Sequence, residues 1–267
     1  MKIRRITLPA AELTKLSAEE RNLFFLVGHI NNEISSLYKA FSWCLAAAHS
    51  PGTTQIEGNA ASAQGMIYAP LLAGKLLEAW GALAKSWFAS KLGQDVAKSL
   101  HPAALASLDE LKKYFGSKNL IFAVRNSFAF HYDAATLGAS WERASQEPFF
   151  ELVIGVNRGN SFHQAAELVA NVAVFHTIAP GNAQAGMGAF FQELDMVAGH
   201  FQNYCEGVTR AVLERLSGLN LEQLGSLSDI EPVQKYSEMF IPVFTKPEEE
   251  VNGALPQACG RRRTRRS

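Results

Sequence analysis

The stretch SAEERNLFFLVGHINNEISSLYKAFSWCLAAA, residues 17–48, predicts one long amphipathic helix. Ser17, followed by Glu20 three residues later, has the spacing of a capping box, in which each side chain bonds the backbone N–H of the other residue at the start of a helix. Apolar residues then recur at intervals of three and four, which places them on one helical face. They are Leu23, Phe24, Val27, Ile30, Ile34, Leu37 and Phe41.

The same periodicity returns along most of the chain. Further helices are predicted over residues 60–92, with Pro70 starting or kinking the helix, over 102–116, after Ser117 as a cap, over 164–178 and over 185–216. The segment PFFELVIGVNRGNSF differs, because it is rich in β-forming residues and carries a turn signal at 157–160. The predicted fold class is mainly α: a bundle of long antiparallel helices with a small β-hairpin insertion near 149–162.

Three regions follow from this pattern. Residues 1–16 are expected to be an irregular lead-in, and residues 17–218 to form one helical domain. Residues 219–267 carry several prolines, a run of three glutamates and an Arg-rich end, so they are expected to form a loosely ordered tail.

The charge of the chain is balanced overall but uneven along its length. Lys and Arg number 25, as do Asp and Glu, and five of the arginines lie in the last eight residues. Without those five, 20 basic residues face 25 acidic ones, a net charge of −5. Overall charge therefore does not favour a nucleic-acid-binding body, and any such contact is expected to be local or made by the tail.

The cysteine content and the apolar runs indicate where the protein works. Cys44, Cys205 and Cys259 are few and widely spaced, which is typical of a reducing cytosol and not of a disulfide framework. The first 15 residues lack the apolar core of a signal peptide, and no run of about 18 apolar residues occurs. The sequence predicts a cytoplasmic protein without a membrane contact.

The segment IFAVRNSFAFHYD, residues 121–133, is the candidate functional motif. Arg125 and Asn126 follow four residues of an apolar run, and His131 lies six positions after the arginine. Placing an arginine in an apolar run is costly unless a hydrogen-bonding or charged partner binds it, or unless it serves a functional site. The spacing alone is common, since Arg158 with His163, and Arg21 with His29, come close to it in the same chain. Of these three arginines, only Arg125 is predicted to lie in the middle of a helix.

The motif VRNSFAFHY resembles the signature of the HEPN superfamily (higher eukaryotes and prokaryotes nucleotide-binding domains). In that family an arginine, usually followed by a polar residue such as asparagine, precedes a histidine by four to six intervening residues on a helix of an all-α bundle. Here Asn126 is the polar neighbour, and five residues separate Arg125 from His131. The detailed resemblance covers about a dozen residues.

The resemblance implies a metal-independent endoribonuclease without a cofactor, in which two copies of the motif meet at a homodimer interface. RNA would be cleaved by attack of its 2′-OH, with Arg125, Asn126 and His131 as catalytic residues. Ser127, Tyr132 and Asp133 are the expected substrate-binding neighbours. Many members of the family are toxins or phage-defence effectors, often paired with an antitoxin or a nucleotidyltransferase.

One departure from the family pattern concerns regulation. In one branch a tyrosine two residues after the histidine is modified by the partner nucleotidyltransferase, whereas here Tyr132 follows His131 directly and Asp133 takes the next place. Two alternatives stay open at the level of sequence. The motif belongs either to a non-catalytic module that binds a nucleotide or a partner, or to a buried polar network that joins helices.

Overall fold

A computed structural model describes residues 1–88, 90–127, 137–138, 140–142, 150–155, 159–231, 235, 238–239 and 241–245. The fold is mainly α, with a small antiparallel β element. The elements are β1 (Lys2–Arg5), α1 (Ala10–Leu13), α2 (Ala18–Ala48), α3 (Gln55–Ser86), α4 (Lys91–Ser99), α5 (Pro102–Phe115), α6 (Leu120–Ser127), α7 (Gln164–Ile178), α8 (Ala183–Ser217), a 3₁₀ turn (Leu221–Gln223) and β2 (Ser226–Asp229).

The capping box predicted for α2 is present. The Ser17 hydroxyl accepts from the Glu20 N–H at 3.2 Å, and the Glu20 carboxylate accepts from the Ser17 N–H at 2.8 Å. The helix runs to Ala48, as the sequence predicts. It buries most of the predicted apolar stripe from Leu23 to Phe41, whereas Phe24 and Leu37 are half-buried.

The second predicted helix is wrong at both ends. It begins at Gln55 instead of residue 60, because Thr54 and Glu57 form a second capping box within a stretch that its glycines and Pro51 mark as a break. It ends at Ser86 instead of residue 92, and α4 follows after Ser90 caps the Gly93 N–H at 3.0 Å.

Cross-helix contacts show that the long helices are antiparallel. Along α2 and α3, Glu33 binds Lys75 at 3.1 Å and Cys44 contacts Gln64 at 3.4 Å, so residue numbers rise on one helix as they fall on the other. The same holds for α2 and α8, where Ser35 accepts from Gln202, and Glu20 pairs with Arg215. It also holds for α5 and α8.

The core lies where α2, α3, α5 and α8 face one another. Its largest fully buried side chains come mainly from these helices and include Ile34, Leu72, Leu76, Leu83, Leu111, Phe190, Leu194, Phe201 and Tyr204. Ring contacts extend it, with Trp80 stacked on Phe115 at a centroid distance of 4.8 Å. The aromatic side chains of Phe41, Trp87, Phe190 and Phe201 are likewise part of this core.

The segments on either side of the helical domain pair with each other. β1 and β2 form an antiparallel ladder from Lys2 opposite Asp229 to Arg5 opposite Ser226, where the sequence predicts an irregular lead-in and a loose tail. The Arg4 guanidinium adds a bond to the Leu224 carbonyl at 2.8 Å. Among the described residues of the predicted hairpin near 149–162, Val153 and Phe162 form an antiparallel bridge and exchange two backbone hydrogen bonds.

Candidate functional site

The start of α6, the helix that carries Arg125, is fixed by three side chains. The first three N–H groups of the helix belong to Leu120, Ile121 and Phe122. The Glu193 carboxylate of α8 accepts from the first at 3.2 Å, and the Tyr114 hydroxyl of α5 accepts from the second at 3.3 Å. Asn119 accepts from the third at 2.8 Å. Asn119, not Ser117, is thus the cap, while the Ser117 hydroxyl donates to the Tyr114 carbonyl at 3.2 Å.

Tyr114 and Glu193 also bind each other, with the Tyr114 hydroxyl donating to the carboxylate. Burial, and then this hydrogen bond, raise the pKa of Tyr114 far above its ordinary value. The phenol therefore stays protonated and continues to donate at any physiological pH. A carboxylate facing a helix amino terminus is also favoured by the helix dipole.

Arg125 lies at the edge of the buried face of α6. Ile121, one turn earlier, and Val124 are fully buried, whereas Phe122 is 55% exposed on the other side. The Arg125 side chain itself is half-buried. This position allows a guanidinium to keep an apolar stem against the core while its charged end reaches toward the surface.

The remaining motif residues are only partly described. Asn126 and Ser127 belong to α6 by their backbone. His131, Tyr132 and Asp133 lie outside the described residues, as does the Phe128 position between Arg125 and His131. The structure thus places Arg125, Asn126 and Ser127 on one helical segment anchored to α5 and α8.

In the other two Arg–His pairs, the described side chains of Arg21 and His29 contact neighbouring groups of the fold. The Arg21 guanidinium donates to the backbone carbonyls of Leu13 and Leu16 at 3.4 and 3.2 Å, which ties the lead-in to the start of α2. His29 lies 3.6 Å from Glu33 on the next turn of α2. Arg158 lies outside the described residues, and His163 stands at the start of α7 without a side-chain cap.

Two further histidines and the two described cysteines are packed or hydrogen-bonded. His200 lies 3.3 Å from the buried Ser107 hydroxyl, and the His176 ring accepts from the Gly181 N–H at 3.1 Å. Burial raises the pKa of the Cys44 thiol to about 11 and that of Cys205 to about 12, so both stay protonated at neutral pH. Neither thiol is a nucleophile in this environment.

A cavity of about 220 Å³, which no sequence motif indicates, lies between α3, α7 and α8. Glu167, in the first turns of α7, is its acidic residue, and burial raises the pKa of this carboxyl group. The cavity is lined by Asn59, Ser62, Ala63, Met66, Gln164, Glu167, Leu168, Asn171, Val172, Phe175, Ala183, Gln184 and Met187. The α3 residues lie at least 98 positions before those of α7 and α8 in the chain, which is why no local motif marks the cavity.

Comparisons with family models, with curated proteins and with solved structures found no match for the chain. Within the described ranges, no three His, Cys, Asp or Glu side chains lie close enough together to hold a metal ion. Across the same part of the chain, every helix is too short or too polar to cross a membrane.

Proposed function

We propose that this protein is an HEPN-like, metal-independent endoribonuclease that acts as a homodimer in the cytoplasm. The observation that carries the proposal is the Arg-Asn pair of the sequence motif, whose arginine is half-buried at the edge of the core on a helix fixed at its amino terminus. Rigid placement of the charged group is what catalysis by positioning requires. The mainly helical fold agrees with the family's architecture.

His131 is proposed to carry out the proton transfers of the reaction. Cleavage by 2′-OH attack requires removal of a proton from the nucleophile and delivery of one to the leaving oxygen. Histidine titrates near neutral pH, so one side chain can serve as base or acid in this chemistry. Ser127, Tyr132 and Asp133 are proposed to contact the RNA beside it.

Arg125 is proposed to stabilise the negative charge that develops in the transition state. The phosphorane carries more negative charge on its oxygens than the ground state, and a guanidinium offers it two parallel N–H donors. The guanidinium stays protonated at all relevant pH values. Asn126 is proposed to orient either the arginine or a phosphate oxygen.

The proposed biological setting is that of a toxin or phage-defence effector, held in check by an antitoxin or a nucleotidyltransferase. The support is the resemblance of the motif to such proteins. Because Tyr132 stands one position early, we expect control by a bound partner rather than by modification of this tyrosine.

A nuclease assay in EDTA tests the proposal. Single-stranded RNA incubated with the purified chain is expected to yield fragments with 2′,3′-cyclic phosphate ends, which mark 2′-OH attack. Replacing His131 with alanine is expected to lower the cleavage rate by about 10²–10⁴-fold, the usual contribution of a general acid or base. The measurement is the initial rate on a labelled oligonucleotide.

A matched control is His101→Ala, which removes an exposed histidine at the start of α5. This variant is expected to cleave RNA at the wild-type rate. Equal rates for the wild type and His131→Ala, or intact RNA with both after any bound partner is removed, would exclude the nuclease. In that case a thermal-shift screen with nucleotides distinguishes a binding module from a purely structural one.

A further inference from the structure

The cavity between α3, α7 and α8 combines an apolar wall with one acidic group. Met66 of α3, Phe175 of α7 and Met187 of α8 supply much of the wall, together with Leu168 and Val172. Amide side chains add hydrogen-bonding groups, and none of the lining residues is Lys, Arg or His. The lining therefore carries a single negative charge when Glu167 is ionised.

The acidic residues that line two other cavities of the described structure have hydrogen-bonding or charged partners, unlike Glu167. At the turn between α2 and α3, Glu57 is bonded to Thr54 in a capping box, and Glu238 lies 3.3 Å from the Lys235 ammonium. In the cavity between α2 and α3, Glu33 binds Lys75 at 3.1 Å, and Glu78 lies 3.5 Å from the same ammonium.

No described residue donates a hydrogen bond to the Glu167 carboxylate or forms an ion pair with it. The Asn171 side-chain amide donates to the backbone carbonyl of Glu167 at 2.8 Å and not to its carboxylate. A half-buried carboxylate without a partner is costly, because the apolar wall removes part of its hydration. The group best suited to offset this cost is a cation with an apolar body.

We propose that this cavity binds a small organic cation, an ammonium or amidinium group on an apolar body, with Glu167 as the counter-ion. The apolar part would lie against Phe175 and the two methionines, and the charged end would face the carboxylate. The amides of Gln164 and Asn171 are placed along the same wall to accept or donate further hydrogen bonds.

The size and charge of the cavity limit the ligand. Its volume of about 220 Å³ lies below the 300–1,000 Å³ that is usual for pockets of drug-sized ligands, so the ligand is small. A nucleotide phosphate placed there would meet the Glu167 carboxylate and no cationic side chain. The cavity is therefore distinct in chemistry from the proposed RNA site on α6, and neither proposal depends on the other.

Calorimetric titration with benzylamine, and with benzyl alcohol as its neutral analogue, tests the proposal. The wild-type protein is expected to bind benzylamine at least tenfold more tightly than benzyl alcohol at pH 7. Glu167→Gln keeps the size of the side chain and removes its charge, so it is expected to weaken benzylamine binding at least tenfold and leave benzyl alcohol unchanged. Glu110→Gln, on the exposed face of α5, is the control and is expected to match the wild type.

Thermal melting of each variant establishes that it is folded before titration. Equal affinity of the wild type for the amine and the alcohol would overturn the proposal, since the charge would then play no part. Unchanged benzylamine binding in Glu167→Gln would overturn it as well, as would absence of binding by both compounds at millimolar concentration. None of these results bears on RNA cleavage.

Discussion

Single side chains show how similar sequence patterns lead to different roles. Arg21 and Arg125 are each followed by an asparagine, yet the first guanidinium caps backbone carbonyls just before α2. The second belongs to a helix whose amino terminus is held by Tyr114 and Glu193. The distinction depends on what surrounds each helix, because a guanidinium binds whichever acceptors the fold places within its reach.

Glu167 also makes a testable contribution to stability. Burial raises its pKa in the folded protein, so at pH values between the unfolded and the folded pKa the folded state holds a proton that the unfolded chain releases. Stability from this group is fully present below the ordinary glutamate pKa of about 4.3 and is lost as pH rises through the folded value. Glu167→Gln is therefore expected to be more stable than the wild type at pH 7.

Urea unfolding at several pH values measures this effect. The advantage of Glu167→Gln is expected to disappear below about pH 4, where the wild-type carboxyl is protonated in both states. A constant difference between the two proteins from pH 4 to pH 8 would show that packing, and not ionisation, distinguishes them. Glu151→Gln, at an acid whose carboxylate accepts from Asn59 at 3.0 Å, serves as the control.

At the scale of elements, the close approach of α5 and α8 depends on Gly207. A Cβ at this position would overlap the Ala104 side chain of α5, whereas a Cβ at Gly199 on the same helix meets no atom within 4 Å. Gly207→Ala is expected to destabilise the fold by about 1–3 kcal/mol through overpacking. Gly199→Ala is expected to stabilise it by about 0.5–1 kcal/mol, because alanine is the better helix former.

Chemical denaturation of the two glycine variants gives the comparison directly. Both substitutions add one methyl group to α8, so the difference in their unfolding free energies isolates the contact with Ala104. Equal effects on stability would mean that α5 and α8 pack less closely than the structure shows.

A comparison of predicted and observed helix bounds shows which features of the fold depend on local sequence alone. The bounds of α2 and α7 agree with the prediction, because the apolar spacing of each helix, and in α2 also the Ser17–Glu20 capping box, are local features of the sequence. The start of α3 was wrong because the glycines and Pro51 before it outweighed the Thr54–Glu57 box. Of the candidate site, the sequence predicts the helical placement of Arg125. The two residues that hold the start of its helix, Glu193 on α8 and Tyr114 on α5, carry no local signal.

At the scale of the whole molecule, the proposed nuclease requires two copies of the chain. Size-exclusion chromatography with light scattering is expected to give twice the 29.2 kDa of one chain, because in the HEPN superfamily, which the motif resembles, the cleft forms from two motifs across an interface. A monomer at concentrations at which RNA is cleaved would contradict the shared cleft. Mixing His131→Ala with wild-type chains provides the control, since a shared site loses activity in the mixed dimer.

The sequence by itself determined the helical character of this protein, because caps and apolar periodicity act over three to seven residues. It also marked Arg125, Asn126 and His131 as candidates by residue type. Only the tertiary structure decided that β1 pairs with β2, that Glu193 fixes the start of α6, and that Glu167 faces an apolar cavity. Each of these features joins residues far apart in the chain, and their pairing depends on how the helices pack, which no local spacing records.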